Sequence, residues 1–193
     1  LEAGEDLCVQ AWDILSGDVK PGRNVLLFDD AGDHPALQAA EVIAHSGARV
    51  EVMTPDRSFA PEVMAMNLVP YMRSLQKHDV TFTVTFRLES VQRDGDGLLA
   101  FVGSDYGGVR KERRIDQVVV NHGTRPLDEL YFELKPQSSN QGAVDYPALI
   151  DGRPQALPAA GSGAFMLFRI GDAVSARNTH AAIYDALRLV KDL

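Results

Sequence analysis

"NVLLFDDAGDHPALQAAEVIAHSGARVEVMTP", residues 24–55, decides the fold class. Its opening "NVLLF" is an apolar run of strand length, the pattern of a parallel strand buried on both faces. Further on, Leu37, Ala40, Ile43 and Ala44 recur on one helical face. Gly47 stops that helix, and Val50 and Val52 then alternate with Glu51 in a second strand. Strand, helix and strand within about 30 residues make a βαβ unit with a right-handed crossover, the opening of a dinucleotide-binding fold.

The turn inside this unit is unusual, because it carries Asp29, Asp30 and Asp33 where a dinucleotide site carries glycines. Counted back from the helix, Ala36 stands at the third glycine position, Ala31 and Asp33 fall near the first two, and Gly32 is displaced between them. A carboxylate at Asp33 would face two phosphate charges. Like charges about 4 Å apart repel by ~1 kcal/mol per pair even in bulk water, which opposes the attraction of a helix N-terminus. Asp33 fits better as a helix cap ahead of His34 and of Pro35, a proline tolerated in the first turn. The turn therefore reads as structural rather than as a nicotinamide site.

Outward from this unit, composition removes several classes of function. The 193 residues are 45% hydrophobic, ample for a packed core, and the formal net charge of −8 argues against a nucleic-acid partner. The one basic run, Arg110, Lys111, Arg113 and Arg114, is interrupted by Glu112 and reads as a solvated hairpin. No stretch approaches the roughly 20 apolar residues that span a bilayer, and a signal-peptide pattern is missing, so a soluble, cytoplasmic protein is expected. Cys8 is the sole cysteine, which excludes an intrachain disulfide and a cysteine-ligated cluster built from this chain. The histidines are scattered without an HxH or HExxH pattern, so no metal site is expected.

Residues 1–22 read as a leader, with breakers at Gly17, Pro21 and Gly22. The spacing of Val63, Met66, Leu68, Tyr71, Met72 and Leu75 predicts a helix disturbed at Pro70. "VTFTVTFRLESVQ", "GLLAFVGS" and "RRIDQVVVNHG" predict an antiparallel excursion that returns to a buried strand at residues 115–121. From residue 127 to 163 the chain is polar and proline-rich, without sustained period, as in a covering segment. "AFMLFRIGDAVSARNTHAAIYDALRLVKDL" then predicts a strand, a Gly-Asp turn and a helix that buries Ala182, Ile183, Ala186, Leu187 and Val190.

That last segment offers chemistry. A carboxylate at Asp172, following Gly171 at the end of a strand, is placed to accept hydrogen bonds from ribose or ribityl hydroxyls, and equally to cap its own turn. The helix beginning near Thr179 directs backbone N–H groups outward, as a phosphate or polar ring edge requires. His122 in "NHGTRP" has no Ser, Cys or carboxylate at a spacing that would make it catalytic.

The first unit, "IDQVVVNHGTRP" and "RIGDAVSARNTHAAIYDALRL" together resemble the C-terminal part of the trimethylamine dehydrogenase and 2,4-dienoyl-CoA reductase family of NADH:flavin oxidoreductases. The likeness runs from about Trp12 onward. It implies a long protein with an N-terminal TIM barrel holding FMN, a 4Fe-4S cluster, and two nested domains like the FAD and NAD(P) domains of disulfide reductases. In the amine dehydrogenase branch the outer domain holds ADP in place of FAD. The implied architecture is an α/β, Rossmann-like, three-layer nucleotide-binding domain with a small antiparallel excursion. Its division is a connection at 1–22, the NAD(P)-binding-like domain at 23–123, and a covering segment with the returning part of the FAD/ADP-binding-like domain at 124–193.

Carried over residue by residue, the resemblance implies cofactor contacts at Gly171, Asp172, His180 and Ala181, with no catalytic residue and no metal ligand in this piece. FMN and the cluster would sit in the barrel part, ADP or FAD at the outer domain, and no cofactor is expected on this piece alone. The implied partners are the rest of the same polypeptide, an electron-transfer protein and a second copy in a homo-oligomer. The activity implied is oxidation of an amine or N-methyl compound. The alternatives are an NAD(P)H-dependent enoate reductase and a scaffold that kept only the fold.

Overall fold

The computed structural model describes residues 1–157, 161 and 163–190. They fall into two units, Leu1–Gly123 and Thr124–Leu193.

The first unit is built on a five-stranded parallel sheet in the order β1-β8-β2-β3-β4, formed by β1 Cys8–Gln10, β2 Asn24–Asp29, β3 Arg49–Met53, β4 Thr81–Thr83 and β8 Gln117–Asn121. Helices α1 (Ala11–Ser16), α2 (His34–His45) and α3 (Ala65–Lys77) supply residues to the core on one face. Alternation along each strand sorts the side chains. Val25, Leu27, Val50, Val52 and Val119 join Leu37, Ala40 and Ile43 of α2. Leu26, Phe28, Met53, Val118 and Val120 point the other way.

That second face is covered by an antiparallel sheet of β5 (Arg87–Asp94), β6 (Gly97–Gly103) and β7 (Arg110–Ile115), which packs Leu88, Val91, Ala100, Val102 and Ile115 onto it. The three layers are therefore helix, parallel sheet and antiparallel sheet. Such burial on both sides explains the near-continuous apolar runs of the central strands.

Several expectations need correction. Residues 1–22 are more than a connection, because Cys8–Gln10 pairs in parallel with β8 as an edge strand and Ala11 and Ile14 are buried. "VTFTVTFRLESVQ" is two strands: the chain leaves the parallel sheet after Thr83, turns at Thr85 with φ +61°, and starts β5 at Arg87 in the other sheet. "RRIDQVVVN" likewise divides at Asp116 between β7 and β8. In both places one strand-like sequence changes sheets, and long-range backbone hydrogen bonds hold the break: Thr85 N–H to Asp56 O and Phe86 N–H to Thr54 O at the first, and Asp116 N–H to Asn24 O at the second.

In the second unit, α4 (Glu129–Leu134), α5 (Tyr146–Asp151) and α6 (Thr179–Val190) are joined by irregular chain. The strand expected just ahead of Gly171 does not form, since no strand among the described residues of this unit offers it a ladder. At Leu167 the backbone is satisfied instead by a side chain. Buried Asn140 accepts from Leu167 N–H at 2.8 Å and donates to Leu167 O at 2.9 Å and to Ala143 O at 3.0 Å. The expected buried face of α6 also differs: Leu189 is buried, whereas Ile183 and Leu187 are 63% and 58% exposed. The side chain of Val190 lies outside the described residues.

Candidate functional site

The sequence singles out three places: the β2–α2 turn and His122 of "NHGTRP" in the first unit, and the Gly171–Asp172 segment in the second. The β2–α2 turn is organised around Asp29, which is 1% exposed. Its Oδ1 accepts from Gly32 N–H at 2.9 Å, Ala31 N–H at 3.3 Å and Asn121 Nδ2 at 3.0 Å. Burial raises the Asp29 pKa above the ordinary carboxylate value, while the Gly32, Asn121 and Ala31 donors pull it back.

Asp33 occupies the cap position of α2 but its side chain does not cap the helix. It accepts instead from Asn121 Nδ2 at 2.7 Å, so one amide bridges two carboxylates. The expected cap is thus corrected, because the better donor comes from the neighbouring strand. Asp30 turns outward to His122 Nδ1 at 3.5 Å and Arg87 Nη1 at 3.9 Å.

Gly32 explains why a glycine remains here. Its φ is +69°, and a Cβ on it would lie 2.6 Å from Pro61 Cδ in the β3–α3 loop. That loop also donates Glu62 N–H to Gly32 O at 3.0 Å. Neither Asn121 nor Pro61 was picked out from the sequence. The only signal for Asn121 was a polar residue closing the buried run "VVVN", and Pro61 gave none.

The Gly171–Asp172 segment forms a single 3-10 turn, Gly171–Ala173, leading to α6. Gly171 is buried at φ +56°, and a Cβ there would meet Ala182 Cβ at 3.0 Å, so the turn sits close against the helix. Its N–H donates to Asp185 Oδ2 at 3.1 Å, and Asp185 pairs with Arg177. Asp172 is exposed, its nearest internal donor being Arg177 N–H at 3.5 Å. His180 is exposed, and Ala181 N–H is taken by Asn178 Oδ1 at 3.0 Å. This unit also holds a cleft of about 320 Å³, bordered by Tyr146, Leu149, Arg169, Arg177 and Arg188 among others. Gly171, Asp172, His180 and Ala181 do not line it.

Cys8 is half-buried, its thiol donating to Gly4 O at 3.5 Å, and burial with the Glu5 charge pushes its pKa up to about 11. Among the described residues no group of three or more His, Cys, Asp and Glu side chains is placed to hold a metal ion. No described helix is long and apolar enough to cross a membrane.

Comparison with known proteins gives a consistent picture, although no family model matches. The chain is 71% identical over all 193 residues to a probable N-methylproline demethylase of Rhizobium meliloti (strain 1021), of which it covers 28%. It is 45% identical over 190 residues, 96% of its length, to the N,N-dimethylglycine/sarcosine dehydrogenase of Chromohalobacter salexigens, of which it covers 27%. It therefore spans little more than a quarter of the curated relatives it matches. Among solved structures, histamine dehydrogenase from Rhizobium sp. 4-9 superposes with a TM-score of 0.69 over 97% of this chain and 26% of its own, at 18% identity. That likeness shows a shared fold.

Proposed function

We infer, from a chain that corresponds to the C-terminal region of the trimethylamine dehydrogenase and 2,4-dienoyl-CoA reductase family, that it serves as the nucleotide-domain part of a longer flavin-dependent oxidoreductase. The proposed substrate class is a secondary or tertiary amine bearing an N-methyl group, such as an N-methylated amino acid. The observation that carries this is identity of 71% sustained across the whole chain to a relative described as a demethylase. The reductase alternative draws on a lesser likeness, 31% identity over 188 residues to a multifunctional alkene reductase/demethylase of Caballeronia cordobensis.

In this reading FMN and a 4Fe-4S cluster belong to the preceding part of the polypeptide. With one cysteine, this chain supplies no ligand set for a cluster. ADP or FAD would be held with the help of the second unit. Its residues suit that role: Asp172 presents an exposed carboxylate with a single weak internal contact, and buried Gly171 lets the turn lie close to α6. His180 and Ala181 stand at the first turn of that helix. FMN would take up the reducing equivalents of amine oxidation, and this chain's residues would position the second nucleotide. A protein electron carrier is the proposed acceptor, with the barrel part of the same polypeptide and a second copy as assembly partners, in the cytoplasm.

The test uses the full-length protein under anaerobic conditions with N-methylproline, N,N-dimethylglycine and sarcosine, following bleaching of the flavin absorbance. Reduction by at least one of them, with formation of formaldehyde on turnover with an artificial acceptor, is expected. Reduction by NADH or NADPH alone, with an enoate as oxidant and no response to amines, would replace this reading by the reductase one.

A further inference from the structure

The β2–α2 turn has the shape of an anion site, since successive N–H groups of Ala31 and Gly32 point to one spot at the start of a helix. That spot is filled by Asp29 Oδ1, and Asn121 Nδ2 completes its coordination at 3.0 Å. The remaining approaches to Gly32 are also taken: its carbonyl accepts from Glu62 N–H, and the space beside its Cα holds Pro61.

We propose that this turn carries its own anion: the Asp29 carboxylate takes the place of a dinucleotide's pyrophosphate, Asn121 holds it there together with Asp33, and Pro61 closes the outer side. Asp29, Asn121 and Pro61 are then the residues that exclude nicotinamide nucleotides from this domain. The proposal rests on the reading of 23–123 as a nicotinamide-domain counterpart. It adds the physical cause of its cofactor choice.

An incoming pyrophosphate would have to displace a carboxylate tethered through one side chain. Such an anion is present at the turn without the loss of translational freedom that a free ligand bears. The incoming group would also meet the Asp33 carboxylate, already within 2.7 Å of Asn121 Nδ2, and the Pro61 ring that packs against Gly32. Conversely, the turn costs the protein no unsatisfied donor, because Ala31 and Gly32 N–H are both engaged without any ligand. Gly32, the residue that looks most like a remnant of phosphate binding, is retained for contact with Pro61.

The experiment titrates inorganic pyrophosphate, NADH and NADPH into the 193-residue chain by calorimetry, beside a double variant with Asp29→Ala and Asp33→Ala. The wild-type chain is expected to give no saturable heat at millimolar ligand. The variant, which frees both N–H groups and removes two negative charges, should bind pyrophosphate at least about tenfold more tightly. Micromolar binding of either nucleotide to the wild type would overturn the proposal, as would a folded variant with no gain. Should the variant lose its circular-dichroism signature, the Ala31 and Gly32 amide resonances of the wild type decide: they should stay in place as pyrophosphate is added, and a saturable shift would sink the idea. None of these titrations reads amine turnover, so failure of the demethylase reading and failure of this one are separately visible.

Discussion

Arg113 of β7 grips Glu51 of β3 with two hydrogen bonds, Nε to Oε2 at 2.7 Å and Nη2 to Oε1 at 3.0 Å, tying the antiparallel sheet to the parallel one. Thr83 of β4 donates to the same Oε1 at 2.7 Å. Glu51 lies on the strand face that carries Met53, which is why a charged residue interrupts the alternation of Val50 and Val52 without facing water. Both side chains are largely covered, 26% and 18% exposed. Replacing Arg113 by Ala leaves a partly buried carboxylate with only Thr83. The expected cost is about 2 kcal/mol, or a fall of ~4–8 °C in melting temperature. Arg113→Lys should recover less than half of it, because an ammonium cannot match the bidentate fork. Thermal unfolding followed by circular dichroism decides, and a loss below about 0.5 kcal/mol would mean that the pair is no more than a surface contact.

Asp29 gives a pH dependence whose sign is fixed. Its folded pKa lies above the unfolded value, with desolvation as the largest cause. The folded state therefore holds the proton more tightly, and this contribution is fully present below the ordinary carboxylate value of about 4 and lost as pH rises through the folded pKa. Asp29→Asn keeps the acceptor oxygen and removes the charge. The variant should match wild type near pH 4 and melt higher at pH 7. A melting-temperature difference that stays constant between the two pH values would show that the ionised form bears no cost.

Gly32→Ala should be damaging out of proportion to one methyl group. A positive φ costs an alanine about 1–2 kcal/mol, and the clash with Pro61 adds about 1–3. Pro61→Gly in the same background removes the clash and leaves only the backbone strain. Urea unfolding of the single and double variants would separate the two parts. Equal stability of both would place the whole effect in the backbone.

Much of this architecture was legible because the two periodicities are clean. Val50 and Val52 about Glu51, and Leu37, Ala40 and Ile43 at helical spacing, identify the βαβ unit without knowledge of contacts. The division of "VTFTVTFRLESVQ" was hidden, since β-branched residues run through the break and the turn at Thr85 is held by Thr54 and Asp56, some 30 residues earlier. The anion at the turn was hidden for the same reason: Asp29 and Asn121 are 92 residues apart, and nothing local to either announces the other. On α6 the apolar stripe was legible but its burial was not, because periodicity identifies a face and does not say what covers it.

Cys8 should be unreactive for its type. With a pKa near 11 and a hydrogen bond to Gly4 O, its thiolate fraction at pH 8 is roughly a hundredth of that of an ordinary cysteine. Alkylation by iodoacetamide, followed by mass spectrometry, should be about a hundredfold slower than for free cysteine at that pH. Labelling at the free-thiol rate would mean that β1 detaches from β8 readily.

Gly171 joins structure to the proposed cofactor role. At φ +56° a side chain is strained, and its Cβ would press on Ala182 Cβ at 3.0 Å, forcing the turn that carries Asp172 away from α6. In the full-length protein, Gly171→Ala should reduce the ADP or FAD retained through purification by about tenfold, since a shift worth ~1.4 kcal/mol suffices. Ala182→Gly placed beside it makes room for the new methyl but leaves the backbone strain, so partial recovery is expected. The readout is nucleotide released on heat denaturation, quantified by chromatography against flavin from the FMN site. Unchanged retention in Gly171→Ala would remove Gly171 from the nucleotide site. Full loss with no recovery in the double variant would place the effect in the left-handed backbone conformation, which glycine alone adopts without cost.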